Sequence, residues 1–440
     1  MVFNYEVKMK KSAKSKFHPK FYNNFEFLFI SIISKFMQLF KLGKNKNSAS
    51  NIVKLNNIFE IIELRKKLLL YKFIKFNNQF YSTPTIPAFP SHPYDKMVEK
   101  GGLNFYQAGT TSKLQIDSVF LAVTNKCNLH CKYCYEKFNI NKQKSIPVSK
   151  WTEIISKLQN KGVNIFILTG GEPLLEFDKL IEILNLSDTH QSDFHIHTSG
   201  ASITKEKVKA LKKAGLKAAA VGLDNYDAQK HDKMRGKGSF EEAVKALKLF
   251  NNEGILTYIN FCAHKEIIND GGLFKYLDFV KNLNVSMIQL LEPRPCGGYF
   301  NNDFENWLNI EDKMQLKQFT ILANKSRKYR NHPLIYYVAH VESKTQLGCH
   351  MGGLSHFYIN SGGDVCPCVF FPVTYGNILS EDIYTIFKRM RENIPFPILS
   401  DCPSMILTKE IVQIYKNENE IPIKYTRIQN SLNKLINNEL

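Results

Sequence analysis

The stretch Ile116–Cys134, IDSVFLAVTNKCNLHCKYC, joins an apolar, β-branched run to three closely spaced cysteines. The run, which ends at Asn125, has the composition of a buried strand. Cys127, Cys131 and Cys134 follow at once with the spacing Cys-x3-Cys-x2-Cys. Soft thiolates this close together are typical ligands of iron–sulfur clusters or of zinc. Three ligands in one loop, with no fourth cysteine near in sequence, predict a four-iron cluster with one iron left open.

A zinc knuckle is the alternative interpretation of this loop, with His130 as its fourth ligand. Structural zinc sites normally close with four ligands in a tetrahedron. Because His130 directly precedes Cys131, such a site would be strained, and we favour the cluster.

Five more strand-like runs follow the cysteines, and a helical pattern separates each from the next. They are NIFILTG (164–170), FHIHTSG (194–200), AAAVGLD (218–224), LTYINFC (256–262) and VSMIQLLEP (285–293). Six such units in a row predict an α/β fold whose parallel sheet curls into a full or partial barrel. In these barrels the chemistry gathers at the carboxyl ends of the strands. The cysteines, Gly170–Glu172, Ser199 and Asp224 follow the first four strands, so we expect them to converge.

The order of these motifs resembles the radical S-adenosylmethionine (radical SAM) superfamily over about residues 114–300. The cysteine loop resembles that family's cluster loop, TGGEPLL (169–175) its Gly-Gly-Glu motif, and HTSG (197–200) its third-strand element with Ser199 in place of the usual Asn. VGLDNYDAQKHDKMRG (221–236) resembles its Ser-x-Asp followed by Arg-Gly, except that Gly222 replaces the serine. The resemblance implies a TIM-like (β/α)6 partial barrel.

The resemblance also implies a cofactor pocket of S-adenosylmethionine on the open iron of a 4Fe–4S cluster. Gly170 and Gly171 would let the backbone approach the ligand, and Glu172 would receive the methionine ammonium. Arg235 would clamp the cofactor carboxylate, with Ser199 and Asp224 as further contacts. The chemistry implied is reductive cleavage of the cofactor to a 5′-deoxyadenosyl radical that removes hydrogen from a substrate.

A second group of cysteines lies near the carboxyl terminus. Cys349-x13-Gly363-x4-Cys368 resembles the opening of the SPASM extension. Enzymes that contain this extension carry auxiliary iron–sulfur clusters. The later Cys-x2-Cys-x5-Cys-x3-Cys run is absent, which implies a shortened extension with one auxiliary 4Fe–4S cluster. Its expected ligands are Cys349, Cys368 and Cys402, with Cys366 as a candidate fourth. Zinc, or a redox-active Cys366–Cys368 pair, is the alternative.

Two cysteines remain, and each is first interpreted as a small buried apolar side chain. Cys262 lies on the fifth strand, and Cys296 follows the sixth. Cys296 is the better candidate for a catalytic thiol, because it stands at a strand's carboxyl end beside Glu292 and Arg294.

The amino-terminal fifth of the chain is strongly basic. The net charge is +19, and residues 1–80 carry 16 Lys and Arg against 4 acidic residues, or +12. This arm would suit an anionic partner or membrane surface, although a Lys/Asn-rich composition that only keeps the chain soluble explains it as well. The apolar run at residues 27–33 is too short to span a bilayer, and a helix is expected over 57–76.

The expected division is a basic, mostly helical extension with a Pro-rich linker (1–112), the core barrel (113–305), a small SPASM-like iron–sulfur domain (306–408) and a helical tail (409–440). Nine cysteines without a secretory signal favour a reducing, cytoplasmic compartment. The implied electron donor is a flavodoxin or ferredoxin.

The implied substrate is a peptide or small protein, as for most SPASM-bearing enzymes. A tetrapyrrole or another anionic metabolite is the second hypothesis. The third is a nucleic-acid-binding protein with structural zinc or a sensing cluster, which would not need the Gly-Gly-Glu motif. We therefore do not expect nucleic acid as a partner.

Overall fold

A computed structural model describes residues 17–24, 26, 62–99, 117–142, 145–300 and 307–437. The amino-terminal part forms an antiparallel sheet in the order β1 (Lys20–Asn23), β2 (Lys72–Phe76), β3 (Gln79–Tyr81), followed by helix α1 (His92–Glu99). The helix expected over 57–76 is wrong in its second half, because residues 62–67 are helical but Lys72–Phe76 is a strand. In KFIKF the buried and half-buried residues alternate, the two-residue period of a strand. The apolar run 27–33 lies outside the described residues.

The six predicted strands form the centre of the molecule, all parallel and in sequence order. The elements are β4 (Ser118–Thr124), α2 (Val148–Lys161), β5 (Ile165–Gly170), α3 (Phe177–Asn185), β6 (Asp193–Thr198), α4 (Lys205–Lys213), β7 (Leu216–Gly222), α5 (Ala228–Arg235), α6 (Ser239–Asn252), β8 (Leu256–Cys262), α7 (Lys265–Asn269), α8 (Gly272–Lys281) and β9 (Met287–Leu291). The partial (β/α)6 barrel is thus confirmed. Its strands are buried on both faces, as expected when helices cover a parallel sheet.

The barrel sheet continues past residue 305 into the segment expected to be a separate domain. The later elements are α9 (Ile310–Lys325), β10 (Leu334–Tyr337), α10 (Val338–Val341), β11 (His356–Ile359), β12 (Val365–Cys366), β13 (Val373–Thr374), α11 (Ile383–Asn393), α12 (Pro403–Ile406), α13 (Thr408–Glu418), β14 (Ile423–Lys424) and α14 (Gln429–Ile436). The order is β10-β9-β8-β7-β6-β5-β4-β11-β12, with β10 parallel to β9 and β11 parallel to β4. The described part of the tail, up to residue 437, contains α13 and α14, and its strand β14 pairs with β13.

Part of the amino-terminal segment packs against the inner face of the barrel. Ile74, Phe76 and Tyr81 share one buried cluster with Ala218 and Tyr258, which lie on β7 and β8. The residues that follow Ala218 and Tyr258 on β7 and β8 belong to a second cluster, on the outer face of the sheet against the helices. The segment therefore forms a floor at the amino-terminal end of the barrel, opposite the cysteine loop. None of the described helices is long and apolar enough to cross a membrane.

Candidate functional site

The cysteine loop lies at the carboxyl end of β4 and is held by backbone hydrogen bonds from two distant segments. The amide of Lys132 donates to the carbonyl of Met234 at 3.0 Å, and the amide of Gly298 donates to the carbonyl of Cys134 at 2.8 Å. The three thiols are half-buried. Burial, partly offset by a backbone hydrogen bond, raises the pKa of Cys127 to about 11, and burial also raises those of Cys131 and Cys134. A cationic metal centre would reverse this by stabilising the thiolates.

Gly170 and Gly171 allow the turn after β5 to lie against the base of the cysteine loop. A β-carbon on Gly170 would lie 2.1 Å from the carbonyl oxygen of Thr124, and one on Gly171 would lie 2.1 Å from that of Lys126. The amides of Gly171 and Glu172 donate to these same two oxygens at 2.8 and 2.7 Å. The glycines are therefore needed first for contact between two chain segments, and this contact fixes Glu172 beside the cysteines.

The carboxylate of Glu172 is buried and accepts four hydrogen bonds from the chain. One oxygen accepts from the amide of Leu174 at 3.0 Å and from the hydroxyl of Thr198 at 2.6 Å. The other accepts from the amide and the hydroxyl of Ser199 at 2.7 and 2.6 Å. Burial raises the pKa of Glu172, although the hydrogen bonds from Ser199 and Thr198 oppose that effect. Ser199, expected as a cofactor contact, is thus bonded to Glu172.

Arg235 and Asp224 form a buried ion pair under the cysteine loop. The Nε and Nη2 atoms of Arg235 donate to the two carboxylate oxygens of Asp224 at 2.6 and 3.3 Å, and the hydroxyl of Tyr133 also donates to this carboxylate. Burial alone would raise the pKa of Asp224, but the Arg235 guanidinium outweighs it and holds that pKa at about 2. Gly222 makes room for this pair, since a β-carbon there would lie 2.1 Å from Nη1 of Arg235. A serine at position 222 would therefore require Arg235 to shift.

Most of the predicted cofactor residues line one cavity of about 290 Å³ inside the barrel mouth. Its lining includes all three cysteines of the loop, Gly170, Gly171, Glu172, Ser199 and Arg235. Asp224 is not part of the lining, but its carboxylate pairs with the guanidinium of Arg235, which is. The structure thus brings the cysteine loop and the predicted residues after β5 and β6 to one mouth, with Asp224 after β7 next to them.

The cysteine loop offers three thiols to a metal centre at this cavity. Among the residues that the structure describes, no three Cys, His, Asp or Glu side chains converge on the position of one ion. Zinc bonded to sulfur at about 2.3 Å would require thiols within about 4 Å of one another. His130, the proposed fourth ligand of a zinc knuckle, is exposed and lies outside the cavity lining. A four-iron cluster spreads its ligands over a larger core.

Three of the carboxyl-terminal cysteines, Cys349, Cys368 and Cys402, lie within electrostatic range of one another, and Cys368 lines this cavity. Cys349 pairs with Ile398 through two backbone hydrogen bonds of 2.9 Å, which brings the segment before Cys402 alongside. After burial and Glu342, the thiols of Cys402 and Cys368 are the next causes that raise the pKa of Cys349, so the three are within electrostatic range. Cys366 is buried in a different, apolar cluster with Ala122 and Tyr358.

Neutral hydrogen-bonding side chains lie in and next to the cavity lining, which includes His197 and Asn260. Asn260 donates to Nδ1 of His197 at 3.1 Å, so Nε2 of His197 carries the proton and donates to the hydroxyl of Tyr258 at 3.0 Å. That hydroxyl lies 3.4 Å from Nδ1 of His195. Burial lowers the pKa of both histidines to about 3, so both are neutral.

His264 is a further residue of the site that sequence reasoning missed. Both of its ring nitrogens are buried without a hydrogen-bond partner, and its ring centroid lies 5.2 Å from that of Tyr133. Its place directly after β8, at the same mouth as the motifs on β4 to β7, was the available signal.

Two family models match the chain. The radical SAM superfamily model matches residues 121–270, and the SPASM iron–sulfur cluster-binding domain matches residues 349–403. The AdoMet-dependent heme synthase of Methanosarcina barkeri is 26% identical over 290 residues, which are 60% of this chain and 80% of that protein. The sporulation killing factor maturation protein SkfB of Bacillus subtilis is 23% identical over 353 residues, 79% of each chain.

The fold is similar to that of Streptococcus suis SuiB, crystallised with its precursor peptide SuiA. The TM-score is 0.53 at 17% identity, and the match covers 82% of this chain and 77% of SuiB. SuiB has also been solved with bound S-adenosylmethionine. The chain therefore contains a radical SAM domain and a SPASM domain, and it is an enzyme whose cofactors are S-adenosylmethionine and 4Fe–4S clusters.

Proposed function

We propose that this radical SAM enzyme modifies a peptide, and that Cys127, Cys131 and Cys134 hold the cluster at which S-adenosylmethionine binds. When bound, the reduced cluster supplies the electron that breaks a carbon–sulfur bond of the cofactor, which gives methionine and the 5′-deoxyadenosyl radical that removes hydrogen from the substrate. The chain itself supplies orientation and a buried pocket at the barrel mouth.

The residues at the mouth divide into cofactor contacts and residues that position them. Glu172 is the group for the methionine ammonium, and the hydroxyl of Ser199 can rotate away from it to release a lone pair. Arg235 reaches the cavity with a guanidinium that Asp224 orients, which suits it to the methionine carboxylate. Asp224 is therefore a positioning residue.

The observation that favours a peptide is the charge of the cavity lining. Beside the acids Asp117, Glu172, Glu292 and Glu342, its polar members include Thr83, Thr85, Ser118, His197, Asn260, Gln289 and His356. Within the described lining the cations are Arg235 and Arg294, which pair with Asp224 and Glu292 respectively. Amide, hydroxyl and neutral imidazole groups match peptide amides. The carboxylates of a tetrapyrrole, or the triphosphate of GTP, after which the similar GTP 3′,8-cyclases are named, would require cations beyond Arg235, which is assigned to the cofactor, and Arg294, which pairs with Glu292.

The similar proteins support this proposal in part. SkfB is named for the maturation of a killing factor, and SuiB was crystallised with a precursor peptide. The heme synthase supports the second candidate, a tetrapyrrole. The nucleic-acid hypothesis has only the basic arm in its favour, and most of that arm lies outside the described residues. We further propose a flavodoxin or ferredoxin as electron donor, in the cytoplasm.

Anaerobic turnover of the reconstituted full chain tests the radical chemistry. With reductant and S-adenosylmethionine, we expect release of methionine and 5′-deoxyadenosine, and about eight irons per chain. Cys131→Ala should abolish cleavage while iron at the carboxyl-terminal site persists. Zinc in place of iron, or unchanged cleavage by Cys131→Ala, would refute the assignment.

Substrate class is tested by offering three probes to the same preparation. The probes are peptides encoded by open reading frames beside this one, a tetrapyrrole carboxylate and GTP. We expect product, seen as a loss of hydrogen by mass spectrometry, only with a peptide and only with intact Cys131. Product from the tetrapyrrole or from GTP alone would overturn the peptide proposal and leave the radical chemistry standing.

A further inference from the structure

Cys296 lies beside the carboxyl-terminal cysteines although 52 residues separate it from Cys349 in sequence. It follows β9, is 4% exposed, and lines the same cavity as Cys368. After burial, the thiols of Cys368 and Cys402 are the largest causes that raise its pKa, which places all three within electrostatic range. Cys402 and Cys368 are in turn within range of Cys349. The amide of Gly352 donates to the carbonyl of Pro367 at 3.0 Å, and Cys349 pairs with Ile398, so the segments that carry Cys349, Cys368 and Cys402 lie side by side. The four thiols, one from each of four chain segments, therefore lie near one region of the cavity.

Cys366 does not belong to that region. It is 3% exposed on β12, where it faces Tyr358 of β11 and packs in an apolar cluster with Ala122. Cys368 is the one cysteine among the named influences on its pKa, and neither Cys349 nor Cys402 appears there. A thiol enclosed by apolar side chains is a small hydrophobic residue.

We propose that Cys296 is the fourth ligand of the auxiliary cluster, with Cys349, Cys368 and Cys402, and that Cys366 is not a ligand. This inference rests on the proposed function, since it takes the auxiliary cluster as present. Four protein thiolates leave no iron open. The auxiliary cluster would then be an electron carrier or a structural centre, and it would not bind substrate through iron.

The two glycines after Cys296 connect this ligand to the cysteine loop of the barrel. A β-carbon on Gly297 would lie 2.0 Å from the carbonyl oxygen of Cys134, and one on Gly298 would lie 2.0 Å from that of Lys132. The amide of Gly298 donates to the Cys134 carbonyl at 2.8 Å. Cys296 is thus held directly against the segment that carries the other cluster, and Cys134 is the third thiol that raises its pKa. The arrangement holds the segment that carries Cys296 against the segment that carries Cys134.

The test measures iron in full-length protein that lacks the barrel cluster. In the background Cys127→Ala, Cys131→Ala, Cys134→Ala, we expect about four irons per chain, all at the auxiliary site. Adding Cys296→Ala should lower the iron content and change the electron paramagnetic resonance spectrum. Adding Cys366→Ala, a loss of the same size at an equally buried position, should change neither. Cys296→Ser should retain a cluster with a shifted reduction potential, because oxygen replaces sulfur as ligand.

Separate outcomes identify separate failures. Four irons and an unchanged spectrum after Cys296→Ala, or loss of iron after Cys366→Ala, would overturn the ligand assignment while the auxiliary cluster stands. A background variant without iron would refute the auxiliary cluster itself. Thermal unfolding of the metal-free Cys296→Ala and Cys366→Ala proteins checks that both fold, and Cys296→Ser gives the result if the alanine variant does not.

Discussion

Arg235 occupies the space that any side chain at position 222 would need, because a β-carbon on Gly222 would lie 2.1 Å from its Nη1 atom. A side chain at position 222 would require this guanidinium to shift from its place beside the carboxylate of Asp224, with which it pairs at 2.6 Å. A substitution at Gly222 would therefore also disturb this ion pair. Because the hydroxyl of Tyr133 donates to the same carboxylate, the disturbance would extend to the cysteine loop.

Gly222→Ala should lower the free energy of unfolding of the metal-free full chain by about 2–5 kcal/mol, the cost of disturbing a buried ion pair. Urea denaturation measures it. Gly238→Ala is the control: its β-carbon would meet nothing within 4 Å, and only its φ of +83° opposes the change, at about 1–2 kcal/mol. Equal losses in the two variants would show that Arg235 does not depend on Gly222.

The strands of the barrel were predictable because each is a short apolar run between helical patterns, and parallel topology then places their ends together. Residues 72–76 were not predictable as a strand, because KFIKF can either continue a preceding helix or alternate as a strand. Packing in the cluster that contains Tyr258 favours the strand. The strands β10 and β11 are four residues each and depend on the barrel edges for pairing.

The motif residues of the site were predictable, but their contacts were not. The replacement of serine by Gly222 is visible in the sequence, while its cause, the position of Arg235, requires the structure. Cys296 was separable from Cys262 only by its place after a strand. Its nearness to Cys368 and Cys402 comes from the fold, which no local spacing encodes.

Buried neutral histidines in the barrel should make stability fall as pH is lowered. Burial lowers the pKa of His195 to about 3, whereas the unfolded value is about 6.5. The unfolded chain therefore binds a proton between these values that the folded chain does not, so stability is lost as pH falls from about 6.5 toward 3. His195→Gln should reduce the fall in melting temperature between pH 7 and pH 5. Equal slopes in the wild-type and His195→Gln proteins would contradict a neutral His195.

Gly298→Ala should reduce iron binding both at the cysteine loop and at the carboxyl-terminal cysteines. The added β-carbon would lie 2.0 Å from the backbone oxygen of Lys132, and backbone cannot rotate away as a side chain can. We expect iron per chain to fall well below the wild-type value after reconstitution, with S-adenosylmethionine cleavage reduced at least tenfold. Gly238→Ala again serves as the control and should keep its iron. Full iron content in Gly298→Ala would show that the two loops are not held together at this contact.

Glu172→Gln should separate the two roles of this carboxylate, which are to order the turn after β6 and to bind the cofactor. Glu172 accepts four hydrogen bonds, and the amide nitrogen of glutamine would meet two of these donors instead of receiving them. We expect a loss of about 2–4 kcal/mol in the free energy of unfolding, since hydrogen bonds to a charged group contribute about 1.5–3 kcal/mol each. Ser199→Ala, which removes one hydroxyl donor and keeps the amide, should lose about 1–2 kcal/mol.

If Glu172 also receives the methionine ammonium, Glu172→Gln should weaken equilibrium binding of S-adenosylmethionine at least tenfold, beyond any effect of Ser199→Ala. Glu182→Gln removes the same charge from an exposed helix position and should affect neither measurement. Cofactor binding as tight as that of wild type in a folded Glu172→Gln protein would leave Glu172 a purely structural residue.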